Sequence, residues 1–574
     1  MALSSVSIAL TGSGGAGVMT AGQALLDAAA KSGYYGLMAK SLGPQIRGGE
    51  SAALVRLSSS PVESPDDCYD VLIAVDWGNI ERFAAELPLK SSSVIITDPA
   101  QGEVPALMLK ANPKVVEIPL KDLAASVEGG RVNMVALGLA AKAIGLDEAA
   151  VIEVLSKALA KKGAKALETS VEALRTGAGA ASSLEGIPTL DTPLAADKER
   201  WSITGNEAVA LGVLKGGVRF VAAYPITPST DILEWLATAL PKVGGSLVQV
   251  EDELASINMI LGGSFGGVPT MTATSGPGLA LMTESIGLAV ASETPCVIAN
   301  VQRGGPSTGI PTKSEQVDLN IAVYGLHGDA PHVVTAPNAL SDCAFTAQWS
   351  VYLAEAMQTP VILLSDQAIG QAKAVVDKPA DVAFIGKRLL AQPNTENYAR
   401  YAVTADGISP MAIPGIPGGE YTADGLEHSP TGTPSTQANH HQEQLDKRQR
   451  KISDFDYGDH WADISGDGDY AIITWGSVTV QVQEALDRLA EEGIKPKLIS
   501  VRLIAPALPE KMDAALAGVK NLLVVEQNHS KQFYRYLRAH YDLPAATTTY
   551  ARPGPVAIRP AEIVDAVKAW VKGD

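Results

Sequence analysis

Residues 220–236 read FVAAYPITPSTDILEWL, which is an apolar run, a turn with two prolines and an amphipathic helical pattern. The run Phe220–Ala223 is short and apolar, as in the buried strand of a parallel sheet. Thr227 is predicted to cap the following helix and Pro228 to occupy its first position. A helix that starts behind a strand offers free N–H groups where open α/β sheets bind ligands. The segment therefore predicts an α/β domain. Its local chemistry fits an anion site and a well-capped helix without a ligand equally well.

Three more turns follow predicted strands in the same region: VQVEDELAS (248–256), TATSGPG (272–278) and RGGPSTGIPT (303–312). An acid between a strand and a helix can hydrogen-bond a ring nitrogen of a buried cofactor if desolvation keeps it protonated, or it can simply compensate helix charge. Ser275–Gly278 is predicted to form a tight turn, and Arg303 to clamp a carboxylate. Gly and Pro also occur in ordinary turns, but four such strand ends in one domain predict a single polar crevice.

The composition indicates a folded protein and excludes some partners. Of the 574 residues, 46% are apolar and 19% charged, and the net charge of −18 argues against nucleic acid or anionic lipid as the main partner. No run of about 18 apolar residues suggests a membrane span. The cysteines Cys68, Cys296 and Cys343 form no C-x-x-C pair, so no disulfide, cluster or metal site is predicted on this chain. The first residues lack a basic signal-peptide stretch, so a cytoplasmic location is expected.

A glycine loop follows the first predicted strand. It reads GSGGAG over residues 12–17 and precedes a helix, so its backbone N–H groups could hold a phosphate. A dinucleotide site would also need an acid about 20 residues further on, and the sequence there has none. A tight strand–helix turn or another phosphate is the better interpretation. Arg47, beside two glycines that permit close backbone approach, offers a fork for phosphate or carboxylate, although a solvated turn arginine explains it as well.

Strand–helix alternation predicts an α/β fold of three doubly wound, mostly parallel-sheet domains. Shifts in composition place the boundaries. The predicted parts are an N-terminal domain (1–190), a central domain (195–385), an irregular connector rich in Pro and Gly (386–465) and a C-terminal domain (466–574).

One segment imitates a metal motif. Gly466-Asp467-Gly468 looks like the start of the magnesium motif of thiamine diphosphate enzymes, which needs an Asn pair some thirty residues later. Residues 491–500 contain no Asn, so a turn before a strand is the interpretation here.

Together these segments resemble the 2-oxoacid:ferredoxin oxidoreductase family, specifically an alpha subunit with a gamma domain fused at its N-terminus. The resemblance covers nearly the whole chain in the family's order. The matching segments are GSGGAGV (12–18), SLGPQIRGGES (41–51), GNEAVALG (205–212), YPITPST (224–230), VQVEDELAS (248–256), TATSGPG (272–278), RGGPSTGIPT (303–312), LSDQ (364–367) and VVEQN (524–528).

The resemblance implies roles for named residues. Glu253 matches the acid that hydrogen-bonds N1′ of the aminopyrimidine of thiamine diphosphate and favours its imino form, although Glu251 is two residues away. Thr227 and Arg303 match residues that hold the 1-carboxylate of the substrate. The domain 195–385 is then the pyrimidine-binding domain, and 466–574 resembles the transketolase C-terminal domain. The implied cofactor-binding residues are Tyr224, Pro225, Ile226, Thr227, Glu253, Ser275, Gly276 and Pro277, and the implied coenzyme A contacts are Gly14, Gly15 and Arg47.

The resemblance also implies partners. A beta subunit would share the thiamine diphosphate and carry Mg²⁺ and a [4Fe–4S] cluster, ferredoxin would accept electrons, and coenzyme A would accept the acyl group. A dimer of alpha–beta heterodimers is expected. The fused form looks most like 2-oxoglutarate oxidoreductases, while pyruvate and branched-chain 2-oxoacids stay open, as does the direction, oxidation or CO₂ fixation. The alternatives from other classes are a nucleotide-binding redox protein that uses the N-terminal glycine loop and a non-catalytic scaffold.

Overall fold

The computed structural model of the chain describes residues 2–43, 48–193, 198–310 and 313–572. The chain forms two compact units. The first comprises residues 1–204, 371–378 and 555–565, and the second comprises residues 205–370, 379–554 and 566–574. Among the described helices, none combines the length and the apolar character needed to cross a bilayer.

The first unit is built on an eight-stranded sheet within its described residues. Strands from one edge to the middle pair in parallel, and the rest pair antiparallel. In sheet order the strands are Lys114–Glu117, Leu89–Thr97, Tyr69–Ala74, Ser5–Ser13, Glu50–Ser58, Tyr35–Leu42, Lys373–Asp377 and Arg200–Thr204. A separate short pair joins Ala2–Leu3 to Thr189–Leu190.

Helices cover this sheet with apolar faces. Within the described part they are Val18–Lys31, Leu120–Ala125, Val132–Ala143, Glu148–Leu159 and Ala164–Ala180. The helices Val132–Ala143 and Ala164–Ala180 pack closely because glycines face the neighbouring backbone: a Cβ on Gly138 would overlap the Leu174 carbonyl oxygen. Leu25 and Leu26 of the helix Val18–Lys31 are fully buried in the core of this unit.

The antiparallel half of this sheet is relevant to which ligand the glycine loop could bind. The helix Val18–Lys31 leads into Tyr35–Leu42, which pairs antiparallel with Glu50–Ser58, and that strand pairs antiparallel with Ser5–Ser13. A dinucleotide fold needs a parallel second strand beside the first. Here the parallel neighbour of Ser5–Ser13 is Tyr69–Ala74, far along the chain. The structure thus disfavours a dinucleotide site because the second βα step is absent, which is a separate reason from the missing acid in the sequence.

The second unit contains a seven-stranded sheet, parallel throughout except at one edge. In sheet order its strands are Ser246–Gln249, Phe220–Ala223, Thr270–Thr274, Cys296–Gln302, Pro360–Asp366, Val333–Thr335 and Leu503–Ala505. The helices around it, as described, are Gly205–Gly216, Thr230–Ala239, Glu253–Phe265, Gly276–Ala291, Leu319–Tyr324, Cys343–Met357 and Gln367–Gly370.

A five-stranded sheet completes the second unit. Its strands in sheet order are Ala462–Ser465, Lys497–Val501, Tyr470–Trp475, Asn521–Glu526 and Ala546–Ala551, parallel except for the first pairing. Its helices are Thr479–Glu491, Pro509–Leu516 and Gln532–His540, and the last described helix of the chain is Pro560–Lys572. The α/β class with mostly parallel sheets is confirmed, and the strands that the apolar runs predict are present.

The segment 386–465 is fastened to the second unit by buried charges. Its helix Ala438–Ser453 contains the charged run Asp446–Lys451. Lys447 Nζ lies 2.7 Å and Lys451 Nζ 3.0 Å from the Glu293 carboxylate oxygens, and all three side chains are at least 98% buried. Buried ion pairs of this kind are costly to break because a lone charge would remain.

Candidate functional site

The predicted strand-end turns lie along one edge of the seven-stranded sheet. The strands Ser246–Gln249, Phe220–Ala223, Thr270–Thr274 and Cys296–Gln302 are consecutive neighbours and all parallel. Their carboxyl ends therefore point the same way, and the turns that follow them lie side by side. The structure thus brings together the four turns that the sequence analysis singles out.

The acid at this edge is Glu253. It is the first residue of the helix Glu253–Phe265, which Asp252 caps through a bond from the Ala255 N–H at 2.7 Å. Glu253 is 7% exposed, whereas Glu251 is exposed to solvent. Of the two acids that the sequence leaves open, only Glu253 is therefore held inside the protein.

Gly278 makes room for the Glu253 carboxyl group. A Cβ on Gly278 would lie 2.7 Å from Glu253 Cγ and 2.8 Å from its Oε1, and it would overlap Thr274 Oγ1. Any side chain at 278 would displace the acid. Among the described residues, none donates a hydrogen bond to the Glu253 carboxylate.

Thr227 lies in a separate turn and not at a helix cap. The helix begins at Thr230, after Ser229. The Ser229 hydroxyl and N–H both donate to the Ile226 carbonyl oxygen, at 2.9 and 2.8 Å, and close a turn of their own. The Asn206 amide binds the Pro228 carbonyl oxygen at 2.9 Å. The prediction that Thr227 caps the helix and Pro228 opens it is therefore wrong, because bonds to the carbonyl oxygens of Ile226 and Pro228, on either side of Thr227, form a turn before the helix begins.

Arg303 meets Thr227 at this turn. Its Nη1 donates to the Thr227 carbonyl oxygen at 2.7 Å, and its buried Nε has no partner among the described residues. Burial lowers the pKa of the Arg303 guanidinium from its ordinary value, and the nearby Asp318 opposes that shift. The two residues predicted to hold one carboxylate therefore lie together, and one guanidinium N–H still lacks an acceptor.

The TATSGPG segment is a helix start. The helix runs from Gly276 to Ala291 with Ser275 as its cap residue, so the prediction of a separate tight turn at 275–278 is wrong. The physical reason is that Pro277 suits the first helical turn, where its missing N–H costs nothing. Ser275 is fully buried, and its Oγ has no partner among the described residues.

Asp318 is a site residue that the sequence analysis misses. It directly precedes the helix Leu319–Tyr324, but its side chain makes no cap bond. Instead Asn300 Nδ2 donates to Asp318 Oδ2 at 2.8 Å. Burial raises the pKa of the Asp318 carboxyl to about 6, although the Asn300 bond and the Arg303 charge lower it. The sequence shows only an acid fifteen positions after Arg303; the fold buries this acid and brings it back to the strand end.

The residues at this edge fit the pyrimidine half of a thiamine coenzyme. A buried carboxyl without a protein donor suits a ring nitrogen, and the unpartnered Ser275 Oγ adds a second polar atom. Tyr224 is 40% exposed, and Pro225, Ile226, Gly276 and Pro277 are half-buried, so an aromatic ring can reach them. The described residues hold no cluster of three acids, histidines or cysteines suited to a metal ion.

The first unit holds a cavity of about 1670 Å³ beside the glycine loop. Gly15 lines it, but Gly14 does not, since its N–H donates to the Gly49 carbonyl oxygen at 2.7 Å. Asp76 holds the loop by accepting from Ser13 N at 2.9 Å and Ser13 Oγ at 2.8 Å. Arg47, the third predicted coenzyme A contact, lies outside the described residues.

Basic side chains line the same cavity. They are Lys121, Arg131, Lys162 and Lys165, all exposed to solvent. They come from separate helices and loops of the first unit, so no sequence motif joins them. Together with the helix start at Val18 they make the cavity suitable for a phosphorylated ligand.

Family models match three parts of the chain. The model for pyruvate flavodoxin/ferredoxin oxidoreductase, thiamine diphosphate-binding, covers residues 211–447. The model for pyruvate ferredoxin/flavodoxin oxidoreductase covers residues 7–180, and the model for pyruvate:ferredoxin oxidoreductase core domain II covers residues 468–563.

Individual relatives agree with these matches. The 2-oxoglutarate synthase subunit KorA of Methanothermobacter thermautotrophicus is 33% identical over 377 residues, which cover 64% of this chain and 98% of that protein. The alpha subunit of 2-oxoacid:ferredoxin oxidoreductase 2 of Aeropyrum pernix is 29% identical, with 93% of each chain covered. A solved 2-oxoglutarate:ferredoxin oxidoreductase from Magnetococcus marinus, with 2-oxoglutarate, coenzyme A and succinyl-CoA bound, is 36% identical with a TM-score of 0.91 and covers 99% of both chains. The chain belongs to the 2-oxoacid:ferredoxin oxidoreductase family, as an alpha subunit with a gamma domain fused at its N-terminus.

Proposed function

We propose that this chain is the alpha subunit of a coenzyme A-acylating 2-oxoglutarate:ferredoxin oxidoreductase. The complex would convert 2-oxoglutarate, coenzyme A and oxidised ferredoxin into succinyl-CoA, CO₂ and reduced ferredoxin. The observation that carries the proposal is the position of Glu253, a buried acid without a protein donor, on the same sheet edge as Arg303 and Thr227. The likeness over the whole chain to the Magnetococcus marinus enzyme supports 2-oxoglutarate as the substrate.

Glu253 would bind a pyrimidine ring nitrogen and share a proton with it. Bound thiamine diphosphate supplies the carbon nucleophile and the electron sink for decarboxylation. The protein's own part is to keep the Glu253 carboxyl away from water and to fix its position between Gly278 and Thr274. A buried acid gains strength as a hydrogen-bonding partner because the surrounding dielectric is low.

Arg303 and Thr227 would hold the 1-carboxylate of the 2-oxoacid. The guanidinium is already oriented by its bond to the Thr227 carbonyl oxygen, which leaves its other N–H groups for an anion. The exposed Thr227 hydroxyl can donate a further bond. An oriented fork loses little entropy on binding, which favours a planar carboxylate.

A beta subunit would complete the active site. The helices that start at Glu253 and Gly276 carry exposed apolar side chains close to those starts: Leu254 is 49%, Met259 38% and Leu281 51% exposed. A partner that covers them would also reach the coenzyme. We assign the diphosphate, Mg²⁺ and [4Fe–4S] sites and the ferredoxin contact to that partner, in a dimer of alpha–beta heterodimers.

Coenzyme A would bind in the cavity of the first unit. The exposed Lys162 and Lys165 suit its phosphates, and Gly15 allows the ligand close to the backbone. Gly14 would act through its bond to the Gly49 carbonyl oxygen, by holding the loop, and not by direct contact.

The decisive experiment uses the complex co-expressed with its beta subunit. Coenzyme A-dependent viologen reduction is measured with 2-oxoglutarate, pyruvate and 2-oxoisovalerate. We expect the highest kcat/KM with 2-oxoglutarate, and a loss of about 10²–10⁴-fold in the Glu253→Gln variant, as removal of an acid–base group predicts. Preference for pyruvate or 2-oxoisovalerate would replace the substrate assignment. No reduction with any of them, in a complex that contains coenzyme and cluster, would refute the enzyme proposal.

Titration with NAD distinguishes the nucleotide-binding alternative. We expect no tight binding, because the strand after the glycine-loop helix runs antiparallel to its neighbour. The scaffold alternative predicts full activity in the Glu253→Gln complex, which the viologen assay would reveal directly.

A further inference from the structure

Asp318 is fixed at the end of the strand that leads into Arg303. Asn300 Nδ2 donates to its carboxylate at 2.8 Å, and the Asp318 N–H donates to Gln302 Oε1 at 3.0 Å. Asn300 and Gln302 lie two residues apart on the strand Cys296–Gln302, so their side chains share one face. Their bonds place a carboxyl that is 92% buried beside the proposed carboxylate clamp.

The other side of Asp318 faces the start of the helix Gly276–Ala291. A Cβ on Gly276 would lie 2.6 Å from Asp318 Oδ1 and 2.8 Å from its Oδ2. Glu253 occupies the corresponding space at Gly278. Two buried acids therefore lie beside the start of one helix. Gly276 leaves room for the Asp318 carboxyl group, and Gly278 leaves room for that of Glu253.

The charges around Asp318 are few. Burial raises the pKa of its carboxyl to about 6, and the Asn300 bond and the Arg303 charge lower it. Two further acids lie nearby among the described residues. Glu253 borders the same helix start, and Glu315 lies in the same loop as Asp318; burial raises the pKa of Glu315, the Gly554 N–H and His529 lower it, and Asp318 raises it. The remaining neighbours are neutral, namely Asn300, Gln302 and Gly276, and Gln532, which binds the backbone at Val317 and Asn320. Arg303 is therefore the cation that Asp318 shares with any bound anion.

We propose that Asp318 is a positioning residue that couples binding of the substrate carboxylate at Arg303 to the uptake of one proton. The inference rests on the proposed function, because it takes Arg303 as the carboxylate clamp. The substrate brings a second negative charge to one guanidinium in a partly buried site, and like charges there disfavour each other's ionised forms. Asp318 relieves the conflict by accepting a proton from solvent, and the neutral carboxyl keeps its bond from Asn300.

The pH dependence of 2-oxoacid binding follows from the uptake of a proton on binding. Above about pH 6 Asp318 is ionised in the free site, and a bound anion raises its pKa further. Binding then takes up a proton, so the affinity for the 2-oxoacid falls as the pH rises. One coupled proton limits the fall to about tenfold per pH unit.

The test measures binding of N-oxalylglycine, a 2-oxoglutarate analogue that is not decarboxylated, to the complex with its beta subunit and thiamine diphosphate. Calorimetry between pH 6.5 and 8 in buffers of different ionisation enthalpy gives both Kd and the protons taken up. We expect proton uptake and a Kd that rises severalfold over this range in the wild type. The Asp318→Asn variant, which can keep the Asn300 bond, should show a Kd that changes less than about twofold and no uptake, since its amide does not titrate.

The Glu315→Gln variant is the matched control, because it removes a neighbouring buried acid of the same loop. It should keep the pH dependence of the wild type. A pH slope that survives in Asp318→Asn, or that disappears in Glu315→Gln, overturns the inference. If the Asp318→Asn variant does not fold, the wild type alone provides the test: binding of the analogue without proton uptake overturns the inference. These outcomes leave the proposed function intact as long as the complex turns over a 2-oxoacid, whereas a complex that neither turns over nor binds the analogue refutes both.

Discussion

Gly278→Ala is the sharpest perturbation of the candidate site. The added Cβ would overlap Thr274 Oγ1 and lie 2.7 Å from Glu253 Cγ, which is about 0.7 Å inside the 3.4 Å at which ordinary contact begins. The backbone at 278 lies in a helix and is fixed, so the Glu253 carboxyl must withdraw by nearly 1 Å. Overpacking of this kind costs about 1–3 kcal/mol, which a chain of this size can tolerate.

The expected result is a folded chain with a weakened active site. A displacement of about 1 Å in a catalytic group can cost about 10²-fold in rate, so we expect kcat of the reconstituted complex to fall by about that factor. The concentration of thiamine diphosphate needed for half-maximal activity should rise as well. Viologen reduction gives both values, and a thermal melt of the purified chain reports its stability.

Gly262→Ala is the control for this experiment. Gly262 lies in the helix Glu253–Phe265, and a Cβ there would meet no atom within 4 Å. Alanine is a better helix former than glycine by about 1 kcal/mol, so this variant should be slightly more stable and equally active. If Gly278→Ala kept the wild-type kcat and coenzyme requirement, the position of Glu253 could not be what the reaction depends on, and the site assignment would fail.

Three more variants test other parts of the structure. Arg303→Lys should raise KM for the 2-oxoacid by about tenfold to a hundredfold in the viologen assay, because an ammonium group cannot form the two-pronged contact; an unchanged KM would remove Arg303 from the clamp. The Lys162→Ala/Lys165→Ala double variant should raise KM for coenzyme A by about tenfold and leave KM for the 2-oxoacid unchanged, and equal effects on both would argue against the cavity. Glu293→Gln should lower the free energy of unfolding by about 3–5 kcal/mol in urea, since it leaves two buried lysines without their anion. Burial alone would raise the pKa of Glu293, but the lysines hold it below its ordinary 4.5, so the stabilisation is present above pH 4.5, and the wild-type advantage should shrink as the pH falls below that value.

Local patterns predicted the elements well and the positions of their ends less well. Short apolar runs predicted five strands of the seven-stranded sheet, because a buried parallel strand needs little beyond such a run, but they did not predict Val333–Thr335 and Leu503–Ala505. The helix starts at Thr230 and Gly276 were misplaced. Thr227 and Pro228 have the right chemistry for a helix start, but bonds from Ser229 and Asn206 hold this segment in a turn. Asn206 lies 22 positions before Pro228, and a local pattern does not indicate such a partner.

The predicted boundaries of the four parts of the chain stay a prediction, and so do the roles of the site residues. The structure adds the burial and the relative positions of the site residues. It shows Glu253 buried and Glu251 exposed, and it shows that Arg303 meets Thr227. Motif resemblance named Glu253, Arg303 and Thr227 without showing any of these relations.

The sequence by itself determined the α/β class, many of the strands and helices, and the family, because apolar periodicity, turn residues and motif order are all local features of the chain. Only the tertiary structure decided which strands became neighbours, including the antiparallel half of the first sheet and the strand Leu503–Ala505 that joins the central sheet. It also decided that Asp318 returns to the end of the strand that precedes Arg303. The physical reason is that pairing and burial join residues far apart along the chain, and a local pattern carries no record of which distant segment will supply the partner.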